Sequence, residues 1–493
     1  MKNSIMKNSK KRLISASLLI CLLLASCGSE GNSGGNETTD GTSEKQEDTT
    51  TEELTDGLEN VDYGGAEFNI VYSADQLGNA WPYDAETETG DLLSDSVYKR
   101  NHAVGDRFNV SVSYINTGGV WDEVPKALMK SVNAGDTEYH LAISHTYSSV
   151  PVMLAGGYLA DFLTMPNIDV SKPWWNASIK ENLAICGVLP IAVSDLVYSY
   201  ADVIYVNQDM TEKFGLENPY DLVYDGKWTW TKLAEIAESV ASDLNGDGVP
   251  SDGDIFGYTT PGETPSLMSR IVQSNGMLMA KSNGGSVELL QMSDRLQNSF
   301  ERYYSLLYDG IKTYIGTVTG DKESVTAFAE GNILFMHQTT LQLPKLRYTE
   351  VNFGIVPLPK YDEAQENYSS MLSSQILLIP GNLDDETKEF AGRITEALSY
   401  ESWKTVTPAV YNSIFESKYL RDATSYEMYQ MIRSSLVCDF NWNYGNGNEL
   451  TTMAIYLLKE KKSTDVASYL AKHSDKIAKS YAELVENVTE IYG

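Results

Sequence analysis

The sequence has few of the residues with which enzymes do covalent or metal chemistry. Its 493 residues include four cysteines and five histidines, and they contain no GxSxG, HExxH or P-loop motif. Cys186 and Cys438 lie in no CxxC motif and near no histidine, so we assign them no catalytic role. The two thiols could pair in an oxidising compartment or stay free and buried. These absences argue against an enzyme.

Positive charge and long apolar runs are also scarce. The chain has 37 Lys and Arg against 68 Asp and Glu, a formal net charge of −31. Such a charge disfavours nucleic acid and anionic lipid as partners. Beyond the N-terminal region, no stretch reaches the roughly 20 apolar residues of a membrane-spanning helix. We therefore expect neither a nucleic-acid partner nor a spanning segment.

The N-terminal region has the pattern of a secretory signal. A basic stretch (residues 2–12) precedes an apolar run (residues 13–24), which is too short to cross a bilayer. Leu24-Ala25-Ser26-Cys27 matches a bacterial lipobox, in which the cysteine is acylated and becomes the new N-terminus. An ordinary cleaved signal with a chance cysteine is the alternative. We predict a signal peptide over residues 1–26 and lipidation at Cys27.

Residues 27–61 differ in composition from the rest of the chain. Ser, Gly, Asn, Thr, Glu and Asp dominate, with almost nothing to bury, so this segment is predicted to be a disordered acidic linker. Two or more acyl chains suffice for stable membrane anchoring. We therefore expect a lipid-anchored protein on the extracellular face of the cell membrane, in a bacterium of Gram-positive type.

The remaining chain alternates short apolar runs with amphipathic helices and is too long for a single core. Strands are predicted at residues 67–72, 110–115, 140–144, 332–336 and 374–379, and helices at 92–108, 124–132, 231–240, 390–398 and 466–484. This alternation indicates an α/β fold with mostly parallel sheets.

Residues 243–254 have the spacing of a calcium-binding loop of the EF-hand type. The predicted oxygen ligands are Asp243, Asn245 and Asp247 at positions 1, 3 and 5, the Val249 carbonyl at position 7, and Asp254 at position 12, with Asp252 as a rival closing ligand. A solvated Asp/Gly turn without metal is the alternative. We expect a structural calcium ion here.

A succession of short motifs resembles the extracellular solute-binding proteins of bacterial ABC importers, in particular the sugar-type (family 1-like) group. The motifs lie at residues 88–91 (ETGD), 95–101 (DSVYKRN), 155–162 (AGGYLADF), 205–207 (YVN), 227–230 (KWTW), 328–331 (FAEG), 353–360 (FGIVPLPK), 408–411 (PAVY) and 418–422 (KYLRD). Each motif is weak alone, and their order carries the resemblance.

The resemblance implies a two-lobed periplasmic-binding-protein fold (type II), with crossover strands at a hinge and helices at the C-terminus. Lobe 1 is expected at 62–180 with a return at 321–375, and lobe 2 at 181–320 with a return at 376–493. A carbohydrate, more specifically an oligosaccharide, would be captured between the lobes by hinge closure. Delivery to ABC permease subunits by a monomer is implied as well.

The ligand-binding candidates come from the rule that ligands bind beyond the carboxyl ends of strands in open α/β sheets. The chain favours aromatics with a polar group, with 31 Tyr and 8 Trp against 12 Phe. The candidates that follow strands are Ser73, Trp81, Tyr83, His145, Thr146, His337, Gln338 and Thr339, and the further aromatic candidates are Trp174, Trp175, Trp403 and Trp442. Core packing is the alternative for each tryptophan. Of Trp174 and Trp175, we expect one ring buried and one exposed.

Two other functions stay open at this point. The first is a peptide- or signal-binding lipoprotein without transport coupling. The second is a lipid-anchored glycoside hydrolase, for which a carboxylate pair such as Asp195 and Glu330 can be drawn, although no spacing selects it.

Overall fold

The computed structural model describes residues 54–73, 82–119, 122–146, 149–261, 266–320, 322–346, 348–410, 423–445 and 447–493. The predicted signal peptide, Cys27, most of the predicted linker and Trp81 lie outside these residues. Within the described part of the chain, no helix combines the length and apolarity that a membrane crossing needs. Residues 55–493 form one compact unit.

Most strands of the described chain belong to one mixed sheet. They are β1 (Ala66–Tyr72), β2 (Val110–Asn116), β3 (Leu141–His145), β4 (Ser199–Asn207), β5 (Phe256–Thr260), β6 (Ala280–Ser282), β7 (Val287–Leu289), β8 (Thr313–Ile315), β9 (Ile333–Thr339), β10 (Phe353–Pro357), β11 (Ser370–Leu378) and β12 (Leu436–Val437). The order is β2-β1-β3-β11-β4-β9-β5-β8, with β10 beside β4 and β12 beside β11. Strands β6 and β7 form a separate pair.

Helices cover both the connections and the C-terminal region. The α-helices are Leu92–Phe108, Glu123–Ala134, Val150–Ala155, Ala177–Leu183, Gln208–Lys213, Pro219–Tyr224, Trp230–Val240, Ser266–Ser274, Asp294–Tyr308, Gly316–Thr319, Ser324–Ala329, Asp385–Glu401, Ala423–Ser434, Phe440–Tyr444, Glu449–Ala454 and Val466–Tyr492. A 3-10 helix spans Thr340–Leu346, and π-helical segments span Ser402–Val406 and Ile455–Glu460.

The predicted elements are confirmed, although some are longer than predicted, such as the helices Asp385–Glu401 and Val466–Tyr492. The helix Leu92–Phe108 begins where predicted because the Asp91 side chain accepts a hydrogen bond from the Ser94 N–H. In the helix Trp230–Val240, the predicted apolar positions, among them Leu233 and Ile236, are buried. The apolar period of 3.6 residues is therefore a reliable signal in this chain.

The sheet consists of two halves. In the first half, β2, β1 and β3 are parallel, and residues 375–378 of β11 pair antiparallel with β3. In the second half, β9, β5 and β8 are parallel, and β4 pairs antiparallel with β9 and β10. The expected parallel arrangement holds within β2-β1-β3 and within β9-β5-β8. Strand β4 runs antiparallel to its neighbours, and β11 runs antiparallel to β3 and β4 and parallel to β12.

Strands β4 and β11 join the two halves. Residues 372–374 of β11 pair with residues 199–201 of β4, and each strand then continues into a different half. We call these two paired segments the crossover. Because β9 and β10 pair with β4, they belong to the second half, whereas the sequence assigns residues 321–375 to a return into lobe 1. The exact lobe boundaries stay a prediction.

The two cysteines of the described chain do not pair. Cys438 is buried and Cys186 is half-buried, and both thiols are free. Of the two sequence-based alternatives, the free thiols are therefore correct.

Candidate ligand site between the two sheet halves

The carboxyl ends of the parallel strands in the two halves face each other across the crossover. Strand β3 ends at His145, which lies opposite Gln375 of β11. Strand β9 ends at Thr339, which lies opposite Asp202 of β4, the first residue after the crossover segment of that strand. Ligands of open α/β sheets bind beyond such ends. The topology therefore creates one place between the halves where both could contact the same ligand.

Five of the sequence candidates lie at the carboxyl ends of β1, β3 and β9. Ser73 follows β1, is almost fully buried, and donates its hydroxyl to the Gly119 carbonyl at 2.8 Å. Thr146 follows β3 and is buried, and His145 is half-buried beside it. Gln338 and Thr339 are half-buried at the end of β9, where the Thr339 N–H donates to Oε1 of Gln338 at 3.0 Å.

A pocket of about 230 Å³ opens beside the crossover and is lined by Ser199 and Ala201 of β4 and Leu372 of β11. Three predicted residues meet in its wall, namely Tyr83, Trp174 and Trp175. The wall contains both aromatic and polar residues. That combination suits a ligand with an apolar ring face and polar edges.

Trp174 and Trp175 are fixed by one carboxylate. Their Nε1 atoms donate to Oε1 and Oε2 of Glu396, each at 2.9 Å. The expectation of one buried and one exposed ring is wrong: the exposed fractions are 1% and 4%. A buried indole N–H needs an acceptor, and Glu396 supplies one to each ring. Burial raises the pKa of Glu396 to about 7, against the lowering effect of the two indoles.

Trp403 packs against Trp174. It is half-buried, and its ring lies 5.9 Å from that of Trp174 and 6.1 Å from that of Tyr400. Trp403 does not line the pocket. Trp442, on the short helix Phe440–Tyr444, is half-buried and also lies outside the pocket wall.

An ion pair that the sequence does not point to lies in the same pocket. Nη2 of Arg433 is 3.1 Å from Oδ1 of Asp195. Burial raises the pKa of Asp195, while Arg433 and a hydrogen bond with Thr407 lower it. Arg433 lies on the helix Ala423–Ser434, 238 residues from its partner, so no local motif could have indicated the pair.

A second polar group that the sequence only partly indicated lies where β4 enters the second half. Asp202, Arg270 and His337 are buried together there, with Nε of Arg270 2.9 Å from Oδ1 of Asp202. His337 follows the strand-end rule. Arg270 lies on the helix Ser266–Ser274, which no sequence motif connects with the site.

The predicted calcium loop is folded around its own side chains. Asp243 accepts hydrogen bonds from the N–H groups of Gly246 and Gly248, each at 2.6 Å, and Asn245 and Asp247 accept from the residues two positions ahead. Both glycines have φ of 75°, a left-handed conformation that glycine adopts without strain.

The predicted closing ligands of that loop are engaged elsewhere. Asp254 is buried and accepts from the N–H groups of Leu244 and Ser251, and Asp252 accepts from the Tyr314 hydroxyl at 2.8 Å. In the described chain, no group of three or more His, Cys, Asp or Glu converges on a metal position. The first half of the loop thus suits calcium chemically, whereas the closing carboxylates do not complete a ligand sphere.

Comparison with known proteins gives matches among solved structures only. No family model matches the chain, and no curated protein matches it. The GacH receptor of Streptomyces glaucescens GLA.O, solved unliganded and with acarbose, is 13% identical, with a TM-score of 0.55 over 85% of this chain and 99% of that one. UgpB of Mycobacterium tuberculosis with glycerophosphocholine is 14% identical, with a TM-score of 0.55 over 86% and 99%.

A third match is the ABC substrate-binding protein Lmo0181 of Listeria monocytogenes with cycloalternan, at 12% identity and a TM-score of 0.51 over 84% and 99% of the two chains. At these identities the likeness defines the fold. The chain has the two-lobed α/β fold of the solute-binding proteins of ABC transporters. The fold that the motifs implied is therefore confirmed.

Proposed function

We propose that this protein captures a carbohydrate, specifically an oligosaccharide, between its two lobes and delivers it to ABC permease subunits, while lipid on Cys27 anchors it outside the cell. The observation that carries the proposal is the pair of facing strand ends at the crossover, with the pocket of Tyr83, Trp174 and Trp175 beside it. The solved structures of similar fold support it, since acarbose and cycloalternan are the ligands named for two of them.

Capture needs no bond to be broken. The two strands of the crossover run from one half into the other, and the halves would close about them. Ligand contacts made by both halves would favour the closed state. Trp174 and Trp175 form a rigid part of the pocket wall, and Glu396 fixes their orientation. Rigid aromatic groups lose little conformational entropy on binding.

The surroundings of the two carboxylates considered for a glycoside hydrolase favour binding over catalysis. Asp195 is paired with Arg433, and Glu330 is paired with Lys322 at 2.7 Å. A glycoside hydrolase needs two carboxyl groups that flank one bond, and Glu330 does not line the pocket that contains Asp195. The solved structures of similar fold are binding proteins as well, which supports a protein without enzymatic activity.

The second part of the proposal is a structural calcium ion. We propose that Asp243, Asn245, Asp247 and the Val249 carbonyl hold the ion, whose role would be to stabilise the loop after the helix Trp230–Val240. The support is the loop geometry of the first ligand positions.

The test is a thermal-shift screen of the mature protein against neutral oligosaccharides and peptides, with chromatography of the recovered ligand. Binding of an oligosaccharide that is recovered intact supports the proposal. Shortened sugar would identify a hydrolase, and binding of peptides alone would identify the peptide-binding alternative. Loss of membrane attachment in Cys27→Ala tests the anchor separately.

A further inference from the structure

A pocket of about 340 Å³ lies between two helices of the second half. Its walls come from the helices Trp230–Val240 and Asp294–Tyr308, which pack on β5 and β8, and from Asn275. No residue of β4 or β11 lines this pocket, and it shares no lining residue with the pocket beside the crossover. We call it the helix pocket. It is a separate space from the one proposed for the carbohydrate.

The buried part of the helix pocket is aromatic and aliphatic. Trp230 and Tyr303 are both almost fully buried, and their ring centres lie 5.6 Å apart. Nε1 of Trp230 donates to Oγ of Ser274 at 3.0 Å, and the Tyr303 hydroxyl lies 3.4 Å from the Tyr258 hydroxyl. Leu306 is buried in the same wall. Because the polar atoms of both rings are engaged elsewhere, this part of the pocket suits a ligand with an apolar body.

Asn275 has an acceptor without a donor in the wall of this pocket. The residue is 3% exposed, and its Nδ2 donates to the Ile271 carbonyl at 2.6 Å. Its Oδ1, on the other branch of the amide, is buried and has no hydrogen-bond partner in the part of the chain that the structure describes. A buried acceptor that is left unpaired is destabilising, so a ligand N–H that reaches Oδ1 would form a hydrogen bond that the described chain does not supply.

Two donors of the pocket wall are already engaged. Nη1 of Arg302 donates to the Tyr361 carbonyl at 2.7 Å, and the guanidinium lies 4.4 Å from the Tyr361 ring. The Ser299 hydroxyl donates to the Arg295 carbonyl at 2.7 Å. Neither side chain is therefore available to donate to a ligand without breaking a bond that it already forms.

The charge of the pocket lining is negative. Glu235 and Glu301 are exposed residues of the lining, and Arg302 is its single cation among the described residues. The whole chain has a formal net charge of −31. A negative lining attracts a positively charged ligand and repels an anion.

We propose that the helix pocket binds a small organic amine with an apolar body, whose ammonium group donates to Oδ1 of Asn275 while the body packs against Trp230 and Tyr303. The site is additional to the proposed carbohydrate site and does not depend on it. A protonated amine has N–H donors and a positive charge and no acceptor of its own, which matches an unpaired acceptor in a negatively charged pocket. Aromatic rings in the wall favour a cation as well.

The experiment is calorimetric titration of the mature protein with phenethylamine, phenethyl alcohol and phenylacetate. The three probes share one ring and differ in the charge and donors of the head group. We expect phenethylamine to bind with one molecule per chain, phenethyl alcohol to bind at least tenfold more weakly, and phenylacetate to bind more weakly still.

Two variants locate the bound amine. Ala234 is half-buried in the pocket wall, so Ala234→Leu fills part of the space and should weaken phenethylamine at least tenfold. Ala127→Leu, at a half-buried position of the helix Glu123–Ala134, is the matched control and should stay within twofold of wild type. Asn275→Leu removes the acceptor at similar volume. It should weaken phenethylamine at least tenfold and leave phenethyl alcohol within twofold.

Each result supports or overturns the inference without bearing on carbohydrate capture, which the sugar screen tests separately. Equal binding of the three probes would overturn the amine as the ligand class. Wild-type affinity in Ala234→Leu, or no binding of phenethylamine by wild type at millimolar concentration, would overturn the site. If Ala234→Leu does not fold, Thr231→Trp fills the same pocket from an exposed position, and the same tenfold loss is expected.

Discussion

Nε1 of Trp174 donates to Oε1 of Glu396 at 2.9 Å, and both groups are almost completely buried. The other oxygen of the same carboxylate holds Trp175. One side chain therefore sets the orientation of the two largest aromatic groups in the pocket wall. The effects of protonating Glu396 and of replacing it should both be measurable in the stability of the protein.

The free energy of unfolding should depend on pH through Glu396. The pKa of Glu396 is about 7 in the fold and near 4.5 when unfolded, so the native state binds the proton more tightly. The contribution of Glu396 to stability is then fully present below about pH 4.5 and is lost as the pH rises to about 7.

Urea unfolding between pH 5 and pH 8 measures this effect. In Glu396→Gln, the part of the pH dependence of the unfolding free energy that is due to this residue should disappear. The unfolding free energy should also fall by about 1–3 kcal/mol, because one indole N–H loses its acceptor. Glu386→Gln, an exposed position on the same helix, is the control and should keep the wild-type slope. If the unfolding free energy of Glu396→Gln depends on pH as in wild type, Glu396 is not the group that titrates.

The ion pair of Asp195 and Arg433 should affect binding more than folding. Arg433→Met removes the cation that faces the pocket and leaves a carboxylate there, so we expect at least a tenfold loss of affinity for the oligosaccharide found in the screen. The pair is partly exposed, with side-chain exposures of 35% for Arg433 and 17% for Asp195, so the effect on stability should be small, about 1 kcal/mol.

Calorimetric titration of Arg433→Met measures the change in affinity. Lys232→Met, which breaks a surface pair with Glu217 in the second half, should bind like wild type. Wild-type affinity in Arg433→Met would mean that the ligand does not occupy this pocket.

Calcium should raise the melting temperature of chelator-treated protein. At a calcium concentration ten times the dissociation constant, binding to the native state alone stabilises by about 1.4 kcal/mol. Asp243→Asn with Asp247→Asn should abolish the calcium-dependent shift, whereas Asp225→Asn, an exposed aspartate paired with Lys227, should not. A calcium response that survives in the double variant would place the ion elsewhere.

Because both thiols are free, reductant should not change the stability of the protein. Dithiothreitol should leave the melting temperature unchanged, since neither cysteine is in a disulfide. Burial raises the pKa of Cys438 to about 12, so iodoacetamide should modify Cys438 only after unfolding, as read by mass spectrometry. Rapid alkylation of Cys438 in the native protein would contradict its burial.

The sequence predicted the parts of the fold that depend on local pattern. The helix Leu92–Phe108 has both a capping aspartate and an apolar face, and β9 begins with a short apolar run. The partners of β4 and β11 could not be predicted this way. Which strand pairs with which depends on contacts between residues far apart in the chain, such as Leu372 with Ala201.

The site was predictable where the strand-end rule applies and hidden where helices contribute. His145, Thr146, Gln338 and Thr339 follow strands and lie at the facing edges. Arg270 and Arg433 lie inside helices, where arginine ordinarily faces solvent. Only the tertiary structure brings Arg270 to the buried Asp202 and Arg433 to the partly exposed Asp195. The two tryptophans looked alike in sequence, and only Glu396, 222 residues from Trp174, explains why both are buried.

The central claim is that the two halves hold a carbohydrate between them and release it unchanged. Calorimetry of the mature protein with neutral oligosaccharides, followed by chromatography of the recovered sugar, tests it most directly. We predict saturable binding of one sugar per chain and full recovery of the intact oligosaccharide. Shortened products, or no binding across the panel, would contradict the claim.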